Sequence, residues 1–212
     1  MSEELSRWYR GRLIVGPFTP FNIEEFETLE QEIGLPLPPA YRSFLESAGG
    51  SGLDYSVHLA NCEPEPLQSF NDLYHLGRDS AGEYGFGTLL GEYRHSSASW
   101  LAGEISLVGL LPIARNSGSD TLFLDLNPAT HGRLHAFIHG IPWPGRLQQG
   151  VFTHVADDFD SYLDSLVIDP ELADDAWNDV SDSDPTDLWR RAVEERLDKD
   201  MPGWRGQPWA TD

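Results

Sequence analysis

The sequence predicts an α+β fold, in which a mostly antiparallel sheet packs against helices and a helical extension follows at the C-terminus. Two observations lead to this prediction. Apolar residues recur with helical spacing in residues 22–48 and 155–166, whereas residues 53–59 and 107–139 show the apolar runs and alternation of strands. Short turns rich in glycine, asparagine and proline join the strands of the second block, which favours antiparallel neighbours.

The first predicted helix begins after Asn22, a residue suited to cap it. Glu25 follows three residues later, the spacing at which its carboxylate reaches back in a capping box. Phe21 and Phe26 flank the cap at the spacing of a hydrophobic staple. Gly34 is expected to end the helix, because glycine readily adopts the left-handed conformation found at helix C-termini.

A proline-rich elbow separates this helix from a second one. Pro36 and Pro38 oppose helix, whereas Pro39 is suited to the first helical position. An apolar stripe with helical spacing then predicts a face that packs in the core; it consists of Tyr41, Phe44, Leu45 and Ala48. Gly49 and Gly50 are expected to end this helix.

The middle of the chain is less regular. Residues 53–59 alternate apolar and polar side chains, which predicts a half-buried strand, and the spacing in residues 67–74 predicts a short helix ended by Gly77. Residues 78–106 are rich in glycine and serine and predict a long insertion with one short helix. The glycines of residues 82–87 do not match a phosphate-binding loop and are expected to form a turn.

A block of strands follows. Strands are predicted in residues 107–114, 121–126 and 134–139, with turns between them. The apolar spacing from Val155 to Leu166 then predicts a helix that covers the sheet.

Length and composition indicate a folded, soluble protein. The chain has 212 residues, enough for one well-filled core with extensions or for two small domains, and its 40% hydrophobic content is that of a globular protein. No apolar run approaches the roughly 20 residues of a membrane helix, and the N-terminus lacks the apolar core of a secretory signal. The single cysteine, Cys62, excludes an intrachain disulfide. We therefore expect a cytoplasmic location.

The strongest compositional feature is the formal net charge of −21. Nucleic acid and anionic membranes are disfavoured as partners, because their phosphates would be repelled. A cationic partner is favoured, since the field of the protein would steer its association. The alternative is that the acidity serves solubility alone.

Acids and tryptophans are concentrated towards the C-terminus. Between Arg146 and Arg190 the chain carries twelve acids and no arginine or lysine. Asp184 and Pro185 predict the start of a helix, with an apolar face of Leu188, Ala192, Val193 and Leu197. Four tryptophans follow residue 169, namely Trp177, Trp189, Trp204 and Trp209. Because exposed tryptophans are costly, we expect this extension to dock on the domain or on a partner.

Three ordered motifs resemble the SUKH superfamily, in its Smi/Knr-like branch. The first consists of Gly34, Leu37-Pro38, Tyr41, Phe44-Leu45 and Gly49-Gly50. The second is the strand block with Pro112-Ile113, Gly118, Asp125 and His139, where the family places an edge strand ending near the histidine. The third is the acidic run around an aromatic–leucine core in residues 155–166. Ala48 and Ser119 depart from the family pattern, which has asparagine and glycine there.

The resemblance covers residues 22–167 and implies a protein-binding module. It divides the chain into a SUKH-like domain in residues 1–168, with the insertion around residues 78–106, and an acidic, Trp-containing extension in residues 169–212. Bacterial members of the superfamily neutralise toxins, often nucleases, whereas fungal relatives are regulatory adaptors of cell-wall assembly. The charge favours the immunity role, because a nuclease surface that binds phosphate is basic. A regulatory adaptor and an enzyme of unknown class are the alternatives.

No residue set predicts a catalytic, cofactor or metal site. His131, His135 and His139 recur every four residues, but Gly132 opposes the helix that would align them. On a strand, His135 and His139 would lie about 13 Å apart, too far for one metal.

The carboxylates are equally unspecific. Asp120 and Asp125 are imaginable as acid–base or magnesium groups, but no matched partner or phosphate cradle accompanies them. Acids near residue 158 are expected at a helix start from the helix dipole alone. No G-x-S-x-G motif supports a serine nucleophile.

Two surfaces are candidates for partner binding. Trp143 lies in a proline-braced turn, where a rigid tryptophan could form an interface hot spot or fold back onto the sheet. The other candidate is the acidic surface of the closing helix and extension, represented by Asp157, Asp158, Asp160, Asp174 and Asp175. The expected partner is a cationic toxin domain.

Overall fold

The computed structural model describes residues 5–98, 107–118, 120–140, 144, 147 and 149–211. These residues contain ten strands: β1 (Ser6–Tyr9), β2 (Arg12–Phe18), β3 (Gly50–Gly52), β4 (Ser56–His58), β5 (Leu67–Ser69), β6 (Asp72–Leu73), β7 (Leu110–Arg115), β8 (Thr121–Asp125), β9 (Leu134–Ile138) and β10 (Val151–Ala156). Eight form one antiparallel sheet in the order β1-β2-β3-β6-β7-β8-β9-β10, and β4 pairs with β5 in a second sheet.

The same residues contain six α-helices: α1 (Ile23–Ile33), α2 (Pro39–Ser47), α3 (Leu89–Ala98), α4 (Phe159–Ser165), α5 (Pro170–Asn178) and α6 (Leu188–Asp200). Helix α6 contacts β2, α3 contacts β7, and α4 contacts both β10 and α2. The predicted α+β class, with a mostly antiparallel sheet and a helical C-terminal region, is confirmed. None of these helices is long and apolar enough to span a bilayer.

The local signals predicted the first helix well. Asn22 Oδ1 accepts hydrogen bonds from the backbone N–H groups of Glu24 and Glu25, Phe21 and Phe26 pack with their ring centroids 5.5 Å apart, and Gly34 has a φ of 75°. Glu25 does not close the predicted capping box. Its carboxylate accepts from the Arg78 guanidinium and the Tyr84 hydroxyl instead, because a charged donor stabilises it more than a backbone N–H does.

Helix α2 supplies the centre of the core, as predicted. All four residues of its apolar stripe are buried, and the Phe44 ring lies 4.9 Å from Phe159 and 5.5 Å from Tyr9. The glycine after the helix has a steric role. A Cβ on Gly50 would lie 2.7 Å from Ile14 Cγ2 and from the Phe18 ring, so only glycine lets β3 pair closely with β2.

The helix predicted in residues 67–74 is wrong, because this stretch contains β5 and β6. Leu67 pairs with His58, and Leu73 pairs with Ala114 of β7. The predicted strand at residues 53–59 is shorter than expected. Only Ser56–His58 is a strand, and the buried hydroxyl of Ser56 is satisfied because it donates to Asp169.

The predicted insertion contains one helix among its described residues, α3, whose Leu89 and Leu90 are buried in the core. The glycine-rich stretch before it forms turns, as expected.

The strand block forms as predicted, except at its edge. Strand β9 is not an edge strand, since β10 pairs with it from Val151 to Ala156. The closing helix is accordingly shorter than predicted. Val155 belongs to β10, and α4 begins at Phe159 because the Asp158 carboxylate accepts from the Ser161 N–H and caps it.

The C-terminal extension packs against the domain. Ala173, Val180, Val193, Leu197 and Trp204 belong to the same buried cluster as the sheet and α2. Arg196 is buried as well; it donates to the carbonyl of Asp54 and lies over the Tyr55 ring. The other three tryptophans of the extension are partly buried against this cluster.

Two details of the extension differ from the prediction. Asp187, rather than Asp184, caps α6 through the N–H groups of Trp189 and Arg190. Leu188 is 77% exposed and therefore does not belong to the buried face.

Candidate functional site

The two faces of the strand block differ. Leu111, Leu122 and Leu124 belong to the main core, whereas Leu110, Phe123 and Phe137 form a separate buried cluster. Because successive strand residues point to opposite faces, this second cluster lies on the outer face of the sheet. Phe152 extends it on β10, with its ring centroid 6.3 Å from that of Phe123.

An open pocket of about 490 Å³ lies at one end of this outer face. It is lined by Val108, Leu110, Asp125, Asn127, Thr130, His135 and Phe152. These residues come from β7, β8, β9 and β10 and from the turns beside them, so the antiparallel pairing of four strands assembles the pocket. We call it the outer-face pocket.

Asp125 is the anionic group of the outer-face pocket and is only 7% exposed. Its Oδ1 accepts from the backbone N–H and the side-chain amide of Asn127, both at 2.9 Å, and its Oδ2 accepts from the Thr130 hydroxyl at 2.7 Å. Burial by itself would raise the pKa of Asp125, but these hydrogen bonds outweigh it and lower the pKa. The carboxylate is therefore ionised at neutral pH.

The turn between β8 and β9 holds these donors in place. The Asn127 side chain also donates to the carbonyl of Val108 at 3.1 Å, which fixes its amide beside Asp125. Gly109 is necessary for this contact. Its φ is +74°, and a Cβ there would lie 2.5 Å from Asn127 Oδ1.

His135 lies beside Asp125 on the neighbouring strand. Its Nε2 is 3.6 Å from Asp125 Oδ2, beyond hydrogen-bond range, and its ring stacks on Phe152 at a centroid distance of 5.2 Å. Burial lowers the pKa of His135; Asp125 acts in the opposite direction, and His154 and Arg133 lower it further. His135 is therefore predominantly neutral at neutral pH.

These groups do not form a nucleophile–base pair. The Thr130 hydroxyl donates to Asp125 and is not activated by His135. The other two histidines of the four-residue repeat have separate partners: His131 Nε2 donates to the Pro36 carbonyl, and His139 Nδ1 lies 3.0 Å from Asp120. Within the described ranges, no group of three or more His, Cys, Asp or Glu residues is arranged to hold a metal ion.

The structure places the first acidic candidates next to basic groups. Asp157 lies 3.3 Å from His154 Nε2 and 3.7 Å from Arg133 Nε, and Asp158 caps α4. Hydrogen bonds from Ser161 lower the pKa of Asp158. Asp160 pairs with Arg10 at 3.3 Å.

The acidic candidates of the extension are different. We define the acidic segment as the seven acids Glu171, Asp174, Asp175, Asp179, Asp182, Asp184 and Asp187. Six are exposed, and Asp174 is half-buried and accepts from the Asn178 side chain. Within the described part of the chain, no arginine, lysine or histidine lies within 4 Å of any of these carboxylates. The neighbouring Arg190 donates to the carbonyls of Ser181 and Ser183 and pairs with Glu194.

Trp143, the apolar candidate, lies outside the described residues. Sequence reasoning considered Asp125 and His135 singly and missed Phe152, Val108, Asn127 and Thr130 as their neighbours. The β-branched and aromatic residues of the stretch 151–155 were the available signal, but it was obscured because Val155 also fits the spacing of the following helix.

A sequence profile of the SMI1 / KNR4 family (SUKH-1) matches residues 20–165, which is more than half of the chain. The chain belongs to this family. The match includes α1, α2, the strand block and α4, and thus every lining residue of the outer-face pocket, whereas the acidic segment lies beyond it. No curated protein matches the sequence in a direct comparison. The family membership supports a SUKH-type domain.

Proposed function

We propose that this SMI1 / KNR4 family protein is a bacterial immunity protein that acts in the cytoplasm. It binds a basic, nuclease-type toxin and inhibits it by covering the cleft that binds nucleic acid. Domains of this family are generally immunity or regulatory modules without catalysis, so inhibition by binding needs no chemistry from this chain.

The observation that carries the proposal is the acidic segment. None of its seven carboxylates lies within 4 Å of a described basic side chain, and they contribute to a net charge of −21. A nuclease cleft that binds phosphate is basic, and uncompensated acids on a partner complement it. Charges of this kind mainly accelerate association, because they act before contact, whereas dissociation depends on the buried contacts.

The test uses the protein encoded beside this one as the partner. Co-purification should yield a complex, and association should slow as the ionic strength rises to about 0.15 M, where the Debye length is about 8 Å. Asp174→Asn combined with Asp175→Asn should slow association several-fold and leave dissociation nearly unchanged.

A matched control removes the same charge elsewhere. Glu24→Gln combined with Glu27→Gln neutralises two exposed acids on α1, and association should stay close to that of the unmodified protein. An association rate that does not depend on ionic strength, or that changes equally with both pairs of substitutions, would refute the electrostatic account of the toxin complex.

A further inference from the structure

The outer-face pocket contains a buried carboxylate without a cationic partner, beside exposed apolar walls. We propose that this pocket binds one basic side chain of a protein partner, an arginine or a lysine. The charged end lies at Asp125 and the alkyl stem lies against Val108 and Phe152. The identity of the partner rests on the proposed function, but the chemistry of the pocket does not.

The negative charge of Asp125 would attract a cation. The carboxylate is ionised, and His135, the nearest titratable group, is mostly neutral at neutral pH. Arg133 directs its guanidinium to Asp157, at 3.7 Å. Among the described residues, no arginine or lysine lies within 4 Å of Asp125, so its negative charge is available to a guest.

The hydrogen bonds of Asp125 leave room for one more donor. A carboxylate has about four acceptor sites, and three are used, two on Oδ1 by Asn127 and one on Oδ2 by Thr130. His135 Nε2 is too far from Oδ2, at 3.6 Å, to fill the fourth. An ammonium or guanidinium N–H at Oδ2 would complete the set with a charge-assisted hydrogen bond.

The walls of the pocket fit the stem of a basic side chain. Val108 is 79% exposed and Phe152 is 39% exposed, so both present apolar surface beside the buried acid. Lysine and arginine cover apolar surface with their methylene groups while the charged end reaches a polar partner. The Phe152 ring adds a surface on which a cation is attracted.

Other guests fit less well. An anion would be repelled by Asp125, and an apolar side chain would desolvate the carboxylate without replacing its water. A metal ion would find one carboxylate and one imidazole, and the described residues offer no third such ligand. The pocket volume of about 490 Å³ exceeds one side chain, so water can accompany the guest.

The test needs no toxin. The intact protein is titrated with N-acetyl-arginine methylamide, and with the matching citrulline compound, which has the same shape without the charge. Weak, saturable binding of the arginine compound should shift the ring NMR signals of His135 and Phe152. Equal binding of the citrulline compound, or shifts confined to residues 171–187, would overturn the proposal.

Two variants locate the site. Asp125→Asn keeps the shape of the side chain and should weaken binding of the arginine compound about tenfold or more, the factor for one charge-assisted hydrogen bond. Phe152→Ala removes a half-exposed wall, is expected to fold, and should weaken binding several-fold. Asp175→Asn removes the same charge from the acidic segment and serves as the control.

Unchanged affinity in Phe152→Ala would overturn the proposal even if Asp125→Asn failed to fold. The result is also independent of the toxin experiment. If the pocket does not bind the arginine compound, association with a toxin can still depend on salt. If no toxin partner is found, the protein can still bind the compound at Asp125.

Discussion

Two acidic stretches adjoin each other in the sequence and differ in the structure. In residues 157–164 every carboxylate has a partner: Asp157 contacts His154 and Arg133, Asp158 caps α4, and Asp160 and Asp164 lie near Arg10. In the acidic segment none has a cationic partner among the described residues. A count of acids along the sequence treats both stretches alike, but only the first lies beside described arginine and histidine side chains.

The difference arises from distant parts of the chain. Arg10 lies between β1 and β2, and Arg133 precedes β9, so the sheet brings both to the start of α4. The acidic segment follows α4 and adjoins α6, whose Arg190 and Arg191 donate to backbone carbonyls instead. The two stretches therefore predict different responses to the same substitutions.

The largest expected effect concerns the packing of the C-terminal extension, which carries the acidic segment, against the domain. Trp204 is 2% exposed, lies 4.8 Å from Trp177 between ring centroids, and donates to Asp198. Trp204→Ala should lower the free energy of unfolding by about 3–5 kcal/mol, the range for truncating a buried aromatic residue. Chemical denaturation of both proteins measures this loss.

The control lies in the same extension. Leu188→Ala removes an exposed side chain and should change the free energy of unfolding by less than about 0.5 kcal/mol. Similar losses in both variants would mean that the extension is not held through Trp204.

A medium effect separates an acid that caps a helix from an exposed acid of the acidic segment. Asp158→Ala removes the cap of α4 and should cost about 0.5–2 kcal/mol, whereas Asp158→Asn should retain most of the stability, because asparagine also caps helices. Asp175→Ala should stay within about 0.5 kcal/mol of the unmodified protein. Equal costs for Asp158→Ala and Asp175→Ala would mean that the hydrogen bond of Asp158 does not stabilise α4.

A smaller effect appears in the salt dependence of the melting temperature. Salt should stabilise the protein by screening repulsion within the acidic segment, and this gain should shrink in the variant with Asp174→Asn and Asp175→Asn. Salt also weakens the pair of Asp160 and Arg10, so Asp160→Asn should enlarge the gain. Melting curves at low and physiological salt compare the variants, and a shift of the same sign in both would contradict the comparison.

The smallest expected effect concerns pH and the outer-face pocket. Burial holds the pKa of His135 below its ordinary value of 6.5, so the unfolded chain binds its proton first as the pH falls. The free energy of unfolding is therefore highest above about pH 6.5, where His135 is neutral in both states. It decreases as the pH falls from there towards the pKa of His135 in the folded protein. The urea concentration at the unfolding midpoint should therefore fall less between about pH 7.5 and about pH 5.5 in the His135→Gln variant than in the unmodified protein. His58→Gln, at an exposed position, is the control, and an equal change in both would contradict this role of His135.

Several elements were predictable because their signals are local. The cap at Asn22, the stop at Gly34 and the stripe around Phe44 depend on residues within a few positions of each other. The strands of the block at residues 110–138 were predictable for the same reason, since alternation and turns are read within a short window. Family membership also followed from these local motifs in their order.

The wrong predictions share a different cause. Residues 67–73 have helical spacing, but pairing of Leu67 with His58 and of Leu73 with Ala114 makes them strands. Glu25 had the correct spacing for a capping box, but Arg78 and Tyr84 compete for it. In each case a contact between distant residues overrides a local preference of a few tenths to about 1 kcal/mol.

The sequence by itself determined the fold class, most of the helices, strands β4, β7, β8 and β9, and the excess of negative charge. Tertiary structure alone decided which carboxylates lie beside an arginine, because this depends on where Arg10 and Arg133 lie. It also decided the outer-face pocket, since Asp125, His135 and Phe152 are brought together by the registers of β8, β9 and β10. A change of one residue in a register would turn each of these side chains to the opposite face.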